Sequence, residues 1–218
     1  MIENKNVTII TANYYPEDTA IGLYTAQFCE YLSKKGYAVT VITGFPYYPQ
    51  WKINESYISK SAYFEETIND IKIIRYKQYV PKKVNLIGRV KMMLSFLYGT
   101  LKNIKKIKQT DLVICIVPFT LSIIPSYFLS KKTKSKLWIH IQDFEFDLAL
   151  QSGILKKKNI AFKIFSRAIL FSEKILLNKA STISSISYSM LKKIDEKSNC
   201  KDVFFFPNWV SSEKIDQN

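Results

Sequence analysis

The sequence is poor in the residues that loops and disulfide frameworks need. It has 6 Gly, 7 Pro and 3 Cys among 218 residues, which argues against a loop-dominated fold and against a disulfide-stapled scaffold. The thiols, Cys29, Cys115 and Cys200, are far apart and make no metal or redox spacing. Cys29 and Cys115 fall in apolar stretches and read as buried thiols of a reducing compartment. Histidine is almost missing, with His140 alone, so a metal centre is not expected. The chain has no G-x-G-x-x-G fingerprint, no Walker A sequence and no G-x-S-x-G elbow, which disfavours nicotinamide or flavin enzymes, P-loop proteins and Ser-His-Asp hydrolases. Residues Met1 to Lys5 lead straight into an apolar run without a signal-peptide pattern. The apolar run Leu112 to Ser130 is broken by Pro118 and Pro125 and flanked by Asp111 and Lys131-Lys132. It reads as a buried strand, a loop and a helix start rather than a membrane span.

Acidic residues are scarce in one place. Residues 71–142 hold 15 basic side chains and one acidic, Asp111, against 5 and 8 in residues 1–70 and 12 and 9 in residues 143–218. The formal charge of +14 is therefore that of the middle third. A localised basic surface implies an anionic partner such as nucleic acid, anionic lipid or a diphosphate.

Near-continuous apolar runs are abundant. Val7–Thr11, Ala38–Thr43, Ile71–Tyr76, Leu112–Val117, Leu137–Ile141, Thr182–Ile186 and Val203–Phe206 read as strands buried on both faces. Helical patterns fall between them at Ile21–Lys35, Leu86–Lys108, Thr120–Lys132, Ile160–Ala180 and Tyr188–Lys197. The alternation predicts an α/β fold, a doubly wound and mostly parallel Rossmann-like sheet, with the loops at the strand C-termini gathered on one rim. Residues 1–210 are read as this domain and 211–218 as the start of a linker.

Candidate sites sit in those rim loops. The first βα loop carries Tyr14, Tyr15, Pro16, Glu17 and Gly22, where a helix N-terminus can hold an anion; close packing explains a small residue there equally well. Gly44-Phe45-Pro46-Tyr47-Tyr48-Pro49-Gln50-Trp51 follows the second strand. Its rings either stack on a sugar or cover a hydrophobic ligand, or they form a small satellite core. His140 ends a strand, with Asp143, Glu145 and Asp147 just behind it. It is either a hydrogen-bonded structural residue or a functional one. Ser187 precedes a helix, and capping alone explains it. In the helix from Leu86 to Lys108, Leu86, Val90, Met93, Leu97, Leu101 and Ile104 form the expected packed stripe, while Arg89, Lys91, Lys102 and Lys105 mark a basic face. That face is either solvated or set against an anionic bilayer.

Several of these landmarks, in order, resemble a known family. Asn13-Tyr14-Tyr15-Pro16-Glu17 with Ile21-Gly22-Leu23-Tyr24-Thr25, Val39-Thr40-Val41-Ile42-Thr43, Pro46-Tyr47-Tyr48-Pro49, Tyr79-Val80-Pro81, His140-Ile141-Gln142-Asp143, Ser181-Thr182-Ile183-Ser184 and Phe205-Phe206-Pro207-Asn208-Trp209 are similar to the N-terminal half of GT-B glycosyltransferases of family 4 type, the group that builds colanic acid, capsule and O-antigen. The resemblance implies a retaining, metal-independent enzyme with no cofactor beyond its nucleotide-sugar donor. The acceptor would be a lipid-linked, polyprenyl-diphosphate saccharide at the inner face of the cytoplasmic membrane. It implies that His140 contacts the transferred sugar, with Asp143 beside it. Gly22, with Glu17 and Ser187, would line the cleft near the donor diphosphate. Tyr15, Tyr47, Tyr48 and Trp51 would meet the acceptor. The family's C-terminal donor domain has no counterpart in these residues, so the chain alone is expected to be inactive. The competing reading is a nonenzymatic basic module for anionic lipid or nucleic acid; no RRM, KH or helix-turn-helix pattern supports a nucleic-acid partner.

Overall fold

The computed structural model describes residues 5–18, 20–144 and 160–209; Glu145, Asp147 and the expected linker lie outside them. The elements in order are β1 (Asn6–Thr11), α1 (Ala20–Lys34), β2 (Ala38–Gly44), α2 (Glu55–Ile58), β3 (Tyr63–Ile68), β4 (Ile71–Tyr76), α3 (Leu86–Asn103), β5 (Leu112–Val117), α4 (Ile123–Thr133), β6 (Lys136–Ile141), α5 (Ile160–Leu177), β7 (Thr182–Ser185), α6 (Tyr188–Lys197) and β8 (Val203–Phe205). They form one sheet in the order β3-β4-β2-β1-β5-β6-β7-β8. Every neighbouring pair is parallel except β3 with β4. The order reverses between β1 and β5, a topological switch point whose strand C-termini open a crevice.

Alternation along each strand feeds two cores. On one face Ile10, Ile42, Ile74, Cys115 and Ile139 pack with Ile104, Ile123, Leu129 and Leu177. On the other, Ile9, Val41, Ile73, Ile114 and Ile116 pack with Ala26 and Cys29 of α1. Both faces are covered, which is why the strands read as unbroken apolar runs. Burial pushes the Cys115 thiol up to about 12, so it stays a neutral, unreactive filler. Among the described residues no helix is long and apolar enough to cross a membrane, and Leu112 to Ser130 is a strand, a loop and a helix start as expected.

Two features depart from expectation. The edge strand β3 and the short α2 have no counterpart in the apolar pattern. β3 reads YFEETI, and its inward-facing Glu66 breaks the alternation because the buried Arg75 on β4 takes that carboxylate. The turn that joins β3 to β4 did carry a signal: Asn69 and Asp70 adopt φ of 49° and 61°, the left-handed conformation that these side chains tolerate best in tight hairpins. The second departure is the buried face of α3. Met92, Met93, Phe96, Gly99, Thr100 and Asn103 face inward, Val90 is exposed, and Leu97 and Leu101 are half-buried. The helix is rotated from the expected stripe because its packed face runs over Gly99, where a Cβ would stand 2.0 Å from Tyr76 Cδ1. Ile87, Val90, Leu94 and Tyr98 are thereby left on the surface. Beyond the end of α3, Lys132 Nζ donates to the carbonyls of Ile104, Lys105 and Ile107 at 3.5, 3.1 and 2.8 Å, neutralising the negative end of the helix.

Candidate functional site

The rim above β1, β2 and β4 is built by three buried polar side chains. Glu17, in the β1–α1 loop, is 5% exposed. Its Oε1 accepts from the backbone N–H groups of Tyr47 and Tyr48 at 2.8 and 2.9 Å, and its Oε2 accepts from Asn13 Nδ2 at 2.8 Å. The carboxylate thus staples the β1–α1 loop to the β2–α2 loop. Burial raises its pKa above the ordinary value, opposed by those three hydrogen bonds and by Arg75. Arg75 is fully buried. Its Nη2 donates to Tyr15 O at 2.5 Å, Nη1 to Gly44 O at 3.2 Å and Nε to Glu66 at 2.5 Å, and its guanidinium lies 4.9 Å from the centre of the Tyr57 ring. Gln78 pairs with the backbone of Phe45 in both directions, at 2.7 and 2.9 Å. Both loops also carry a cis X–Pro bond, Tyr15-Pro16 and Tyr48-Pro49.

These braces leave a pocket of about 510 Å³ between the loops, walled by Pro16, Glu17, Asp18, Pro46, Tyr48 and Asn54 among others. Of the aromatic candidates, Tyr15 and Tyr48 are exposed. Tyr47 and Trp51 instead stack edge to face at 5.7 Å over Met92, Met93, Phe96 and Phe119, so they form the satellite core. Gly22 lies in the first turn of α1 at the close approach of Glu17, whose Cβ would be 2.8 Å from an added methyl. Packing therefore accounts for that glycine.

The second cluster lies at the C-terminal end of β6. His140 is 3% exposed and pairs in register with Ser184. Its Nδ1 is 2.8 Å from Ser184 Oγ, and its Nε2 is 2.9 Å from Gln142 Nε2. Gln142 Nε2 also donates to Asn208 Oδ1 at 3.0 Å. Burial pushes the imidazole down to about 4. Around it stand Trp138, Phe206 and, further out, Phe28 and Trp209, and Trp209 Nε1 donates to Gln27 Oε1 at 2.9 Å. Asp143 is half-buried and accepts from the backbone N–H of Phe144 at 2.7 Å. Ser187 caps α6, accepting from Met190 N at 3.3 Å.

The structure gathers Glu17, Tyr47 and Tyr48 around the pocket, while His140, on β6, and Asp143, two residues past the end of that strand, lie at the far side of the switch point. Arg75, Gln78, Gln142 and Asn208 were not singled out in the sequence. The run Ile71–Tyr76 carries two charges, Lys72 and Arg75, and only Arg75 shares the parity of Ile71 and Ile73, which was its signal; Gln142 and Asn208 stood in the quoted landmarks without an assigned role, and Gln78 gave no signal. On α3, Arg89 lies 5.4 Å from the Trp51 ring centre, Lys102 lies 4.4 Å from that of Tyr98 and Lys91 is exposed, and Lys105 is exposed just past the end of the helix. Among the described residues no group of His, Cys, Asp and Glu is placed to hold a metal ion.

No family model matches the chain. It is 35% identical over 207 residues to WcaI of Escherichia coli K12, a protein named for glycosyl transfer in colanic acid biosynthesis, across 93% of this chain and 50% of that protein. The chain thus spans half the length of the curated relative it matches. Among solved structures it resembles the catalytic domain of starch synthase IV from Arabidopsis thaliana, bound to ADP and acarbose (TM-score 0.60, 11% identity, 96% of this chain and 52% of that one). It also resembles sucrose-phosphate synthase from Thermosynechococcus elongatus (0.59, 12%, 97% and 93%) and Anabaena HepE in complex with UDP-glucose (0.52, 10%, 97% and 48%). At these identities the likeness to solved structures is one of fold.

Proposed function

We propose, from the premise that this chain belongs to the colanic-acid type of GT-B glycosyltransferases, that it forms the acceptor-side half of such an enzyme. The observation that carries the reading is the match to a named glycosyl transferase along 93% of this chain. The braced rim suits the role. A hydroxyl acceptor needs a pre-formed cleft, and Glu17, Arg75 and Gln78 hold both loops without help from a ligand. Exposed Tyr48 on its wall, with exposed Tyr15 next in the chain to the lining residue Pro16, offers a face for a saccharide ring.

In the proposed reaction a sugar passes from a nucleotide diphosphate to an acceptor hydroxyl with retention. The bond from the sugar to the diphosphate breaks, the bond to the acceptor oxygen forms, and the donor phosphate takes the acceptor proton. Gly22 and the start of α1 would face the donor diphosphate, and His140 and Asp143 the transferred sugar. The acceptor would be a polyprenyl-diphosphate saccharide of surface polysaccharide synthesis, O-antigen and capsule included, met at the inner face of the cytoplasmic membrane. The exposed apolar residues Ile87, Val90, Leu94 and Tyr98 with Arg89, Lys91 and Lys102 among them suit such a surface.

The test pairs two assays on the 218-residue protein. Binding of a lipid-linked diphosphate saccharide, followed by Tyr fluorescence, is expected and should weaken roughly tenfold in Tyr48→Ala, about 1.4 kcal/mol of lost contact. Turnover of a nucleotide sugar by these 218 residues is expected to be negligible, because this reading assigns the main electrostatic stabilisation of the leaving diphosphate to the donor-side half. No acceptor binding, or brisk turnover by the chain alone, overturns the assignment to the acceptor side.

A further inference from the structure

The side chains around His140 fix where its proton sits. A carboxamide nitrogen donates and never accepts. Gln142 Nε2 lies 3.0 Å from Asn208 Oδ1 and 2.9 Å from His140 Nε2, so with one proton directed at each, His140 Nε2 must present its lone pair. A buried, neutral imidazole has one N–H, and here it falls on Nδ1, pointing at Ser184 Oγ at 2.8 Å. The same oxygen accepts from Trp138 Nε1 at 2.8 Å, so both of its lone pairs are engaged.

We propose that Gln142 is a positioning residue: it holds His140 as the Nδ1–H tautomer, covers the basic nitrogen, and ties it to the segment that follows β8. That segment is anchored twice, by Asn208 on Gln142 and by Trp209 on Gln27, with the Phe206 ring 5.3 Å from the imidazole at 78°. While the Gln142 bond stands, neither ring nitrogen is available. A ligand reaches Nε2 when the carboxamide turns away, and turning away releases Asn208. The state of the imidazole and the placement of the post-β8 segment are therefore one coupled equilibrium. The bearing of this coupling on sugar transfer rests on the glycosyltransferase reading; the tautomer does not.

The sole histidine makes the test direct. A long-range proton–nitrogen correlation spectrum of the ¹⁵N-labelled 218-residue protein, taken without ligand, gives one imidazole pattern. The Nδ1–H pattern is expected for the natural sequence. Gln142→Glu replaces the donor by an acceptor and should move the proton to Nε2. Asn208→Leu removes the partner that orients the carboxamide and should give an averaged pattern of both tautomers, with the thermal midpoint as a check that the variant is folded. An Nε2–H pattern in the natural protein overturns the proposal, since both carboxamides would then be turned over. So does an unchanged Nδ1–H pattern in either folded variant. Because no nucleotide sugar or acceptor is present, the spectrum is independent of whether the chain binds one.

Discussion

Burial holds His140 neutral, down to about 4 against an ordinary 6.5, and this has a signed consequence for stability. The unfolded chain takes up a proton as pH falls through 6.5, while the folded chain does not until about 4. Stability from this residue is therefore complete above pH 6.5 and is lost as pH falls toward 4, by about 3 kcal/mol. Glu17 has the opposite slope: its raised pKa favours the folded state as pH falls toward the ordinary carboxyl value. Urea midpoints between pH 7 and pH 4 should fall for the natural protein and fall much less for His140→Gln. An equal fall in both would place the acid sensitivity elsewhere. The position of His140 at a strand end was legible in the sequence. Its partners were not, because Ser184 and Asn208 stand 44 residues from His140 and 66 residues from Gln142, separations that no local pattern reports. Glu17 shows the same limit: the residue was visible in its loop, but its role as a staple depends on two backbone N–H groups 30 and 31 residues away.

At the scale of elements, periodicity located what faces a core on both sides and failed where a polar or small residue faces inward. The parallel strands have continuous apolar runs and were legible. β3 was not, since Glu66 points at Arg75. The orientation of α3 was missed because Gly99, Thr100 and Asn103 are on its buried face. Gly99 supplies a test in which two effects have opposite sign. Helix propensity alone makes Gly→Ala stabilising by about 1 kcal/mol. The contact with Tyr76, 2.0 Å from an added Cβ, makes it an overpacked substitution that costs about 1–3 kcal/mol. Gly99→Ala is expected to lower the urea midpoint at unchanged slope. A raised midpoint would mean that α3 shifts off β4 at little cost.

At the scale of the whole molecule, the basic middle third and the rotated α3 combine into one surface. Lys82, Lys83, Arg89 and Lys91 are exposed beside Val84, Ile87, Val90 and Leu94. Charge asymmetry was legible in composition, and the apolar ridge was not, because pattern counting had assigned Val90 to the core. Co-sedimentation with anionic vesicles is expected to weaken as salt rises from about 0.1 M to about 1 M, where the Debye length shrinks from about 10 Å to about 3 Å. Leu94→Asp should weaken it further at low salt. Equal binding to neutral vesicles would count against an electrostatic surface. The clasped rim has a last consequence, in the order of synthesis. The two loops lie early in the chain, but Tyr15 is held by a residue 60 positions later and Phe45 by one 33 positions later. A nascent chain that has exposed both loops still has neither Arg75 nor Gln78 to close them, and contacts so far apart in sequence form late. The mouth of the cleft is therefore set after the loops that make it have left the ribosome, and only once β4 has emerged and joined β2.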